Sequence, residues 1–506
     1  MKAPTERFSD HVENYVKYRP SYPPKVYQKA LALEGAGAEP VRIELTIPTI
    51  TVPGEPFAVK VALVDAKGLA TVRYDGSVRI QGVDGDEAEI RFSEGRPAVG
   101  LISGMKISTA GLYRVSGELD GKTFYSNPTS CQADPGYRIY WGDPHVHTHL
   151  SDCHPDHCRS AHFGYIAGRW QSGLDFVGMA DHVSWGVRIT RGKWRTQVVT
   201  SELHDDAPHF VTLPGYEVSL RGGKGGDNNV YARSWPETWV DEWETGSALT
   251  LAQKVEEMVG RGNYIVVPHH TSRGGGKDPK HGEIPDENFP GEEAMPVVEI
   301  HSRWGTSEYK GNPNALKVPY DGKCYAIDFL NQGIRFGFIA GTDTHSTIPC
   351  GDGAIENLRA EPGFTAVRCR ALTRDQVFDG IRRRNCYATS KERIFLEATV
   401  AGASGGQIIQ AVDGLAVREI KVRAAGKSDI EKVEIVRNGD VIHTERPADW
   451  KTELSYTDSA DLKDHTLSSL HYVAFAYYYV RVTTCSNGQA WSSPVWLDLL
   501  PVENEP

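Results

Sequence analysis

Five apolar runs in the middle of this 506-residue chain each end in side chains of the types that can ligate metal ions. They are RIYWGDPHVH, LDFVGMADH, FVTLPGYE, YIVVPHH and RFGFIAGTDTH. One apolar strand ending in histidine is commonplace as a satisfied core residue; five in a single stretch are hard to explain by packing. Between the runs lie helical patterns. LTLAQKVEEMVGRG repeats Leu251, Val255, Met258 and Val259 at helical spacing before Gly262, and HPDHCRSAHFGYIAGRWQSG reads as a helix closed near Gly173. Near-continuous apolar strands alternating with helices predict a parallel sheet or barrel, in which active sites form at the carboxyl ends of the strands. Histidine usage agrees. Of 18 histidines, 14 fall between His145 and His345, where uniform scatter would put about seven.

The flanks read differently. VRIELTIPTITVPGEPFAVKVALVDAKG and GLYRVSGELDGKTFYSNP alternate apolar and polar positions, with Asp120-Gly121 as a hairpin signal. EIKVRAAG, VEIVRNGDVIHTE and YYYVRVTTCSNGQAWSSPVWL do the same, with Asn-Gly turns at Asn438 and Asn487. The expected fold is therefore α/β, with a barrel at 137–395 between immunoglobulin-like β-sandwiches at 41–136 and 396–506. Residues 1–40 fit neither pattern. Their FSDHVENYVKYRPSYPPKVYQKALAL resembles the opening of class I S-adenosylmethionine-dependent methyltransferases, but no glycine-rich nucleotide loop follows a strand there. They read as a vestigial extension.

Spacing supports a metal centre. His145 and His147 are two apart, so both project from one face of an extended strand, and Asp343 and His345 repeat that geometry. Imidazoles mixed with carboxylates suit Zn²⁺, Mn²⁺ or Fe²⁺. The eight cysteines form no CxxC pair, which disfavours a closed structural zinc site.

GDPHVHTHLSD, MADH, LPGYE, VPHH and GTDTHS resemble the ordered motifs of the PHP (polymerase and histidinol phosphatase) superfamily, in a branch whose catalytic region carries flanking β segments. The resemblance implies a distorted (βα)7 barrel with two or three divalent ions per chain. His145, His147, Glu217 and Asp343 would hold one ion. Glu217 would bridge to a second, completed by His269, and His182 and His345 would hold a third with Asp152 nearby. Asp181 would orient His182 or a bound water. Two departures stand out. GGKGGDNNVY places Asp227 and Asn228 where related sequences often have a histidine, so Asp227 is the substitute ligand or the second ion is held more weakly. The usual SDG turn is SDC, which puts Cys153 beside the site as a bystander thiol or a soft ligand.

Clustered divalent ions acidify a shared water and stabilise attacking and leaving oxygens, which suits hydrolysis of a phosphate mono- or diester. Arg273 in HHTSRGGGK and Arg303 in HSRWG are candidate cations for the transition-state charge, with Lys277 on the same loop as Arg273. His345 and His301 are candidate general acids. The alternatives are hydrolysis of a sulfate, phosphonate or glycan-linked bond, and a non-catalytic metal-binding module. With 55 Lys+Arg against 66 Asp+Glu, the net charge of −11 speaks against a nucleic-acid or anionic-membrane partner. The expected partner is a small or sugar-linked anionic substrate, with the β segments available for homo-oligomeric contact. No apolar run is long enough to span a bilayer, and MKAPTERFSDHVENYVKYRP lacks a secretory apolar stretch, so the expected location is cytoplasmic.

Overall fold

In RIELT (Arg42–Thr46) the second and fourth side chains are buried, and in GSVRIQ (Gly76–Gln81) Val78 and Ile80 are; this is the mark of strands with one face on a core. The computed structural model describes residues 38–66, 68–151, 153, 158–183, 189–220, 224–240, 242–273, 282–316, 322–351, 361–412, 417–469 and 472–500. The methyltransferase-like motif, Asp152 and Lys277 lie outside these residues.

In the first flank, Arg42–Thr46, Phe57–Val64 and Val99–Met105 form one sheet, and Glu87–Phe92, Gly76–Gln81, Ser116–Leu119 and Lys122–Tyr125 form another. Both contribute to one core that includes Ile43, Leu45, Val59, Val61, Val78 and Ile80. Asp120 and Gly121 both have positive φ (52° and 72°), as the two-residue hairpin between Ser116–Leu119 and Lys122–Tyr125 requires.

The expected α/β barrel is not what the chain forms. Strands make up 43% and helices 15% of the described residues, which are therefore mostly β. The longest described helix, Arg191–His204, has 14 residues. Parallel pairs do occur, between Arg138–Val146 and Phe176–Met179, Phe176–Met179 and Val211–Leu213, and Val297–Ser302 and Gly337–Ala340. The first two make a three-stranded parallel section at one end of a longer mixed sheet, and the third lies in a separate sheet. Gly215–Leu220, Gly226–Ala232 and Tyr264–Pro268 are an antiparallel meander. Gly363–Cys369 runs antiparallel to both Arg138–Val146 and Cys386–Ser390. An apolar run reports burial on both faces, not the direction of its neighbour, and here many connections turn straight back.

Where a helix is expected from LTLAQKVEEMVGRG, one forms at Ala248–Val259, opened by a Ser247–Thr250 capping box and closed by Gly260 at φ 84°. The strands around the functional residues meet at isolated parallel bridges: Val146 with Thr344, His182 with Glu217, and His269 with Glu299. Short sheets are thereby drawn together at the ends that carry the polar side chains.

One 11-stranded sheet runs from Val211–Leu213 through Arg138–Val146 and Cys386–Ser390 into Gln489–Ser492, Phe475–Thr484 and Ile430–Arg437. Glu308, from the loop after Val297–Ser302, fastens this seam. Its carboxylate accepts bonds from Tyr479 Oη (2.6 Å), Arg481 Nη1 (2.5 Å) and Trp491 Nε1 (2.7 Å).

Candidate metal centre

His145 and His147 leave the end of Arg138–Val146 on one face, and the backbone locks their partner beside them. Asp343 N–H donates to the His145 carbonyl (2.8 Å), and His147 N–H donates to that of Thr344 (3.0 Å). Asp143 clamps the same segment by accepting from Thr342 N (2.9 Å) and Cys350 N (3.1 Å). Asp343 is held in the left-handed region (φ 50°), a conformation that Asp tolerates and that tertiary contacts must maintain. Gly341 makes the approach feasible: a Cβ there would stand 2.6 Å from His145 Cβ and 2.8 Å from Glu299 Oε2.

Two buried carboxylates organise the cluster. Glu217 Oε2 lies 3.3 Å from His145 Nε2 and 3.1 Å from His147 Nε2, while Oε1 lies 3.2 Å from His269 Nε2 and 3.5 Å from His182 Nδ1. Asp343 Oδ1 is 3.1 Å from His147 Nε2 and 3.8 Å from His345 Nδ1, and its Oδ2 is 3.7 Å from His270 Nε2. Each oxygen thus faces its own imidazoles, the arrangement of bridging carboxylates. Four groups of potential ligand atoms lie within 4.8 Å of one another: His145, His147, Glu217 and Asp343; His147, Cys153, His182 and His345; His269, His270 and Asp343; and His145, His269 and Glu299.

The electrostatics require compensation. Burial alone would raise the Glu217 pKa, but His182, His269 and the His145 and His147 contacts hold it well below the carboxylate range. Asp343 is likewise depressed against its own burial, chiefly by His145 and His147. Burial would lower the His145 pKa, yet Glu299 and Asp343 hold it well above its ordinary value. Burial dominates at His182 and brings its pKa down to about 4. Both ring nitrogens of buried His269 lack a hydrogen-bond partner among the described residues, although Nε2 is close to Glu217. Imidazole nitrogens and carboxylate oxygens gathered this way, one imidazole left orphaned, fit divalent cations as the missing partners.

The structure brings His145, His147, His182, Glu217, His269, Asp343 and His345 together. Asp227 joins them at 3.4 Å from His270 Nε2, whereas Asn228 donates to the Gly225 and Gly226 carbonyls on the other face of its strand. Asp227 therefore takes the site-facing position. Arg273 stands at the rim, 43% exposed, with Nη1 3.8 Å from Asp227 and its guanidinium 5.2 Å from the centre of the Trp304 ring.

Three expectations need correcting. His301 is not brought to the cluster. It contacts Thr306 Oγ1 and the Glu361 carbonyl (2.8 Å each) and stacks on Trp491. A register shift between Glu299 and His301 turns it out of the alternation. Arg303 is nearly buried and donates to the Gly351 carbonyl. Asp181 accepts from Thr148 N (2.6 Å) and Oγ1 (2.8 Å), bracing the turn after His147 instead of His182.

One functional residue escaped the sequence reading. Glu299 places both oxygens 3.1–3.2 Å from His145 Nδ1, which leaves Nε2 for the centre. A lone acid in the apolar run PVVEI was its signal.

No family model matches the chain. It is 26% identical over 472 residues to an uncharacterised protein of Chlamydia pneumoniae, covering 90% of this chain and 74% of that protein. It is 35% identical over 213 residues to an uncharacterised protein of Chlamydia muridarum, covering 40% of this chain and 34% of that one. Among solved structures, the fibronectin(III)-like modules of Clostridium thermocellum CbhA overlay at 15% identity and a TM-score of 0.15, over 32% of this chain and 77% of theirs. That likeness is too slight to bear on the fold. No helix among the described residues is long and apolar enough to cross a membrane.

Proposed function

We propose that the cluster is the active centre of a metal-dependent hydrolase that cleaves a phosphate mono- or diester. The observation that carries this reading is the pair of buried carboxylates, Glu217 and Asp343, each presenting its two oxygens to different imidazoles. The order of the ligand motifs, like that of the PHP superfamily, supports it independently of the fold. His145, His147, Glu217 and Asp343 would hold one divalent ion; His269, with His270 and Asp227 beside it, a second; His182 and His345 a third. When bound, such ions supply an acidified water and neutralise charge developing on a phosphoryl group.

The chain's own residues do the rest. Glu299 fixes the His145 ring, and Ser151 Oγ, 3.2 Å from His147 Nδ1, fixes the next. Arg273 offers an anionic substrate a fork of donors from an exposed rim position. Trp304 stands edge-on to two of these imidazoles, its ring centroid 6.3 Å from those of both His270 and His345.

A panel of chromogenic phosphate mono-, di- and triesters, phosphonates, sulfates and glycosides, assayed with Zn²⁺ or Mn²⁺, tests the proposal. Phosphate ester turnover that Glu217→Ala and Asp343→Ala abolish is expected. Turnover confined to sulfates or glycosides moves the reading to that bond. Wild-type turnover and metal content in either variant would overturn the site.

A further inference from the structure

We infer that Cys153 is a thiolate ligand of the ion held by His182 and His345, which makes that position selective for a thiophilic cation such as Zn²⁺ over Mn²⁺. The inference rests on the metal-centre reading above and adds a ligand of a different chemical class to it.

Cys153 Sγ lies within 4.8 Å of ring nitrogens of His147, His182 and His345, and the residue is buried. Ligand atoms around a tetrahedral zinc stand roughly 3.3–3.6 Å apart, so the group has to contract by only about one ångström. The role of His147 separates from the others. Its Nε2 faces Glu217 and Asp343, its Nδ1 faces Ser151, and its ring stacks against both His182 (4.7 Å) and His345 (4.2 Å), whose own centroids are 6.4 Å apart. The ligand atoms of this group that are left for a separate ion are then Cys153 Sγ and the imidazoles of His182 and His345. Glu217 Oε1, 3.5 Å from His182 Nδ1, belongs to the carboxylate whose other oxygen faces His145 and His147, so Glu217 would be shared with the first position.

Ser151 holds the thiol in place. Its hydroxyl accepts from His182 N–H (2.9 Å) and lies 3.3 Å from Cys153 Sγ. Binding replaces the S–H bond by a sulfur–metal bond and releases the proton to solvent, with no change of oxidation state. Cys158 provides a contrast nearby. Its thiol is turned to the His345 carbonyl (3.1 Å), and it belongs to none of the ligand groups.

Thiolate is the soft donor that favours Zn²⁺, while all-carboxylate and water surroundings favour Mn²⁺ or Mg²⁺. Of the four ligand groups, only this one contains sulfur.

The full chain reconstituted with Co²⁺ tests the assignment. The wild type and Cys158→Ser are expected to show a near-ultraviolet thiolate-to-cobalt charge-transfer band. Cys153→Ser should lose the band, keep cobalt at the other positions, and bind zinc at least about tenfold more weakly at this one. Zinc-edge X-ray absorption on the wild type needs no variant and should show one sulfur neighbour at about 2.3 Å. A cobalt-loaded wild type without the band, or a band that survives in Cys153→Ser, overturns the thiolate while leaving the metal centre standing. A chain that takes up no divalent ion overturns both.

Discussion

Glu299→Gln isolates the one contact that turns His145 toward the centre. Glu299 is buried and places both oxygens within hydrogen-bond reach of His145 Nδ1, at 3.1 and 3.2 Å. Glutamine keeps the shape and one acceptor oxygen but removes the negative charge. The imidazole loses basicity and some of its fixed orientation, while the ligands themselves stay. Loss of such an outer partner typically costs 10–100-fold in metal affinity, or about 1.4–2.7 kcal/mol. The effect should appear as a rise in Kd for the ion bound by His145, measured by competition with a chromogenic chelator at constant pH. A circular dichroism spectrum matching the wild type would show the fold intact. Affinity unchanged within about threefold would refute the argument, because a carboxylate that orients a ligand cannot be neutralised without consequence. Abolished metal binding would refute it too, by making Glu299 a ligand in its own right.

Other outcomes follow from the same contacts. Arg273→Ala should raise KM for an anionic substrate about tenfold or more with metal content unchanged, by steady-state kinetics; a normal KM removes Arg273 from substrate binding. His301→Gln should leave metal affinity untouched. The pKa of His301 is lowered to about 4 by burial, with the Glu361 carbonyl opposing. The unfolded chain therefore binds the proton first, and the stability that neutral His301 contributes is present above about pH 6.5 and lost between 6.5 and 4. That loss is about 3 kcal/mol. Denaturant titrations of the chelator-treated protein should show His301→Gln flattening that acid limb. Arg481→Met should destabilise by about 3–5 kcal/mol in the same assay, because buried Glu308 would lose its cation.

The candidate ligands were legible because a polar side chain at the end of an apolar run is costly unless something claims it. His145, His147, His182, Glu217, His269 and Asp343 all carried that signal, and all meet. His301 carried it too and was misplaced, since an irregularity of one residue next to Glu299 reverses which face a side chain takes, and composition does not record it. The barrel expectation failed for a related reason. DNNVYA opens on three polar residues, yet it is the fully buried middle strand of a meander, reached through Gly225 and Gly226 at φ 119° and 68°. Strand direction is set by such turns, not by hydrophobicity.

The 11-stranded sheet that crosses from Arg138–Val146 to Phe475–Thr484 has a consequence for how the molecule comes apart. Cys386–Ser390 pairs with Gly363–Cys369 on one side and Gln489–Ser492 on the other, so opening the chain after residue 395 would leave a raw backbone edge at Cys386–Ser390, two strands from Arg138–Val146. The centre and the C-terminal strands should therefore melt in one cooperative step, and ions bound at the centre should protect amides in Phe475–Thr484 from hydrogen exchange.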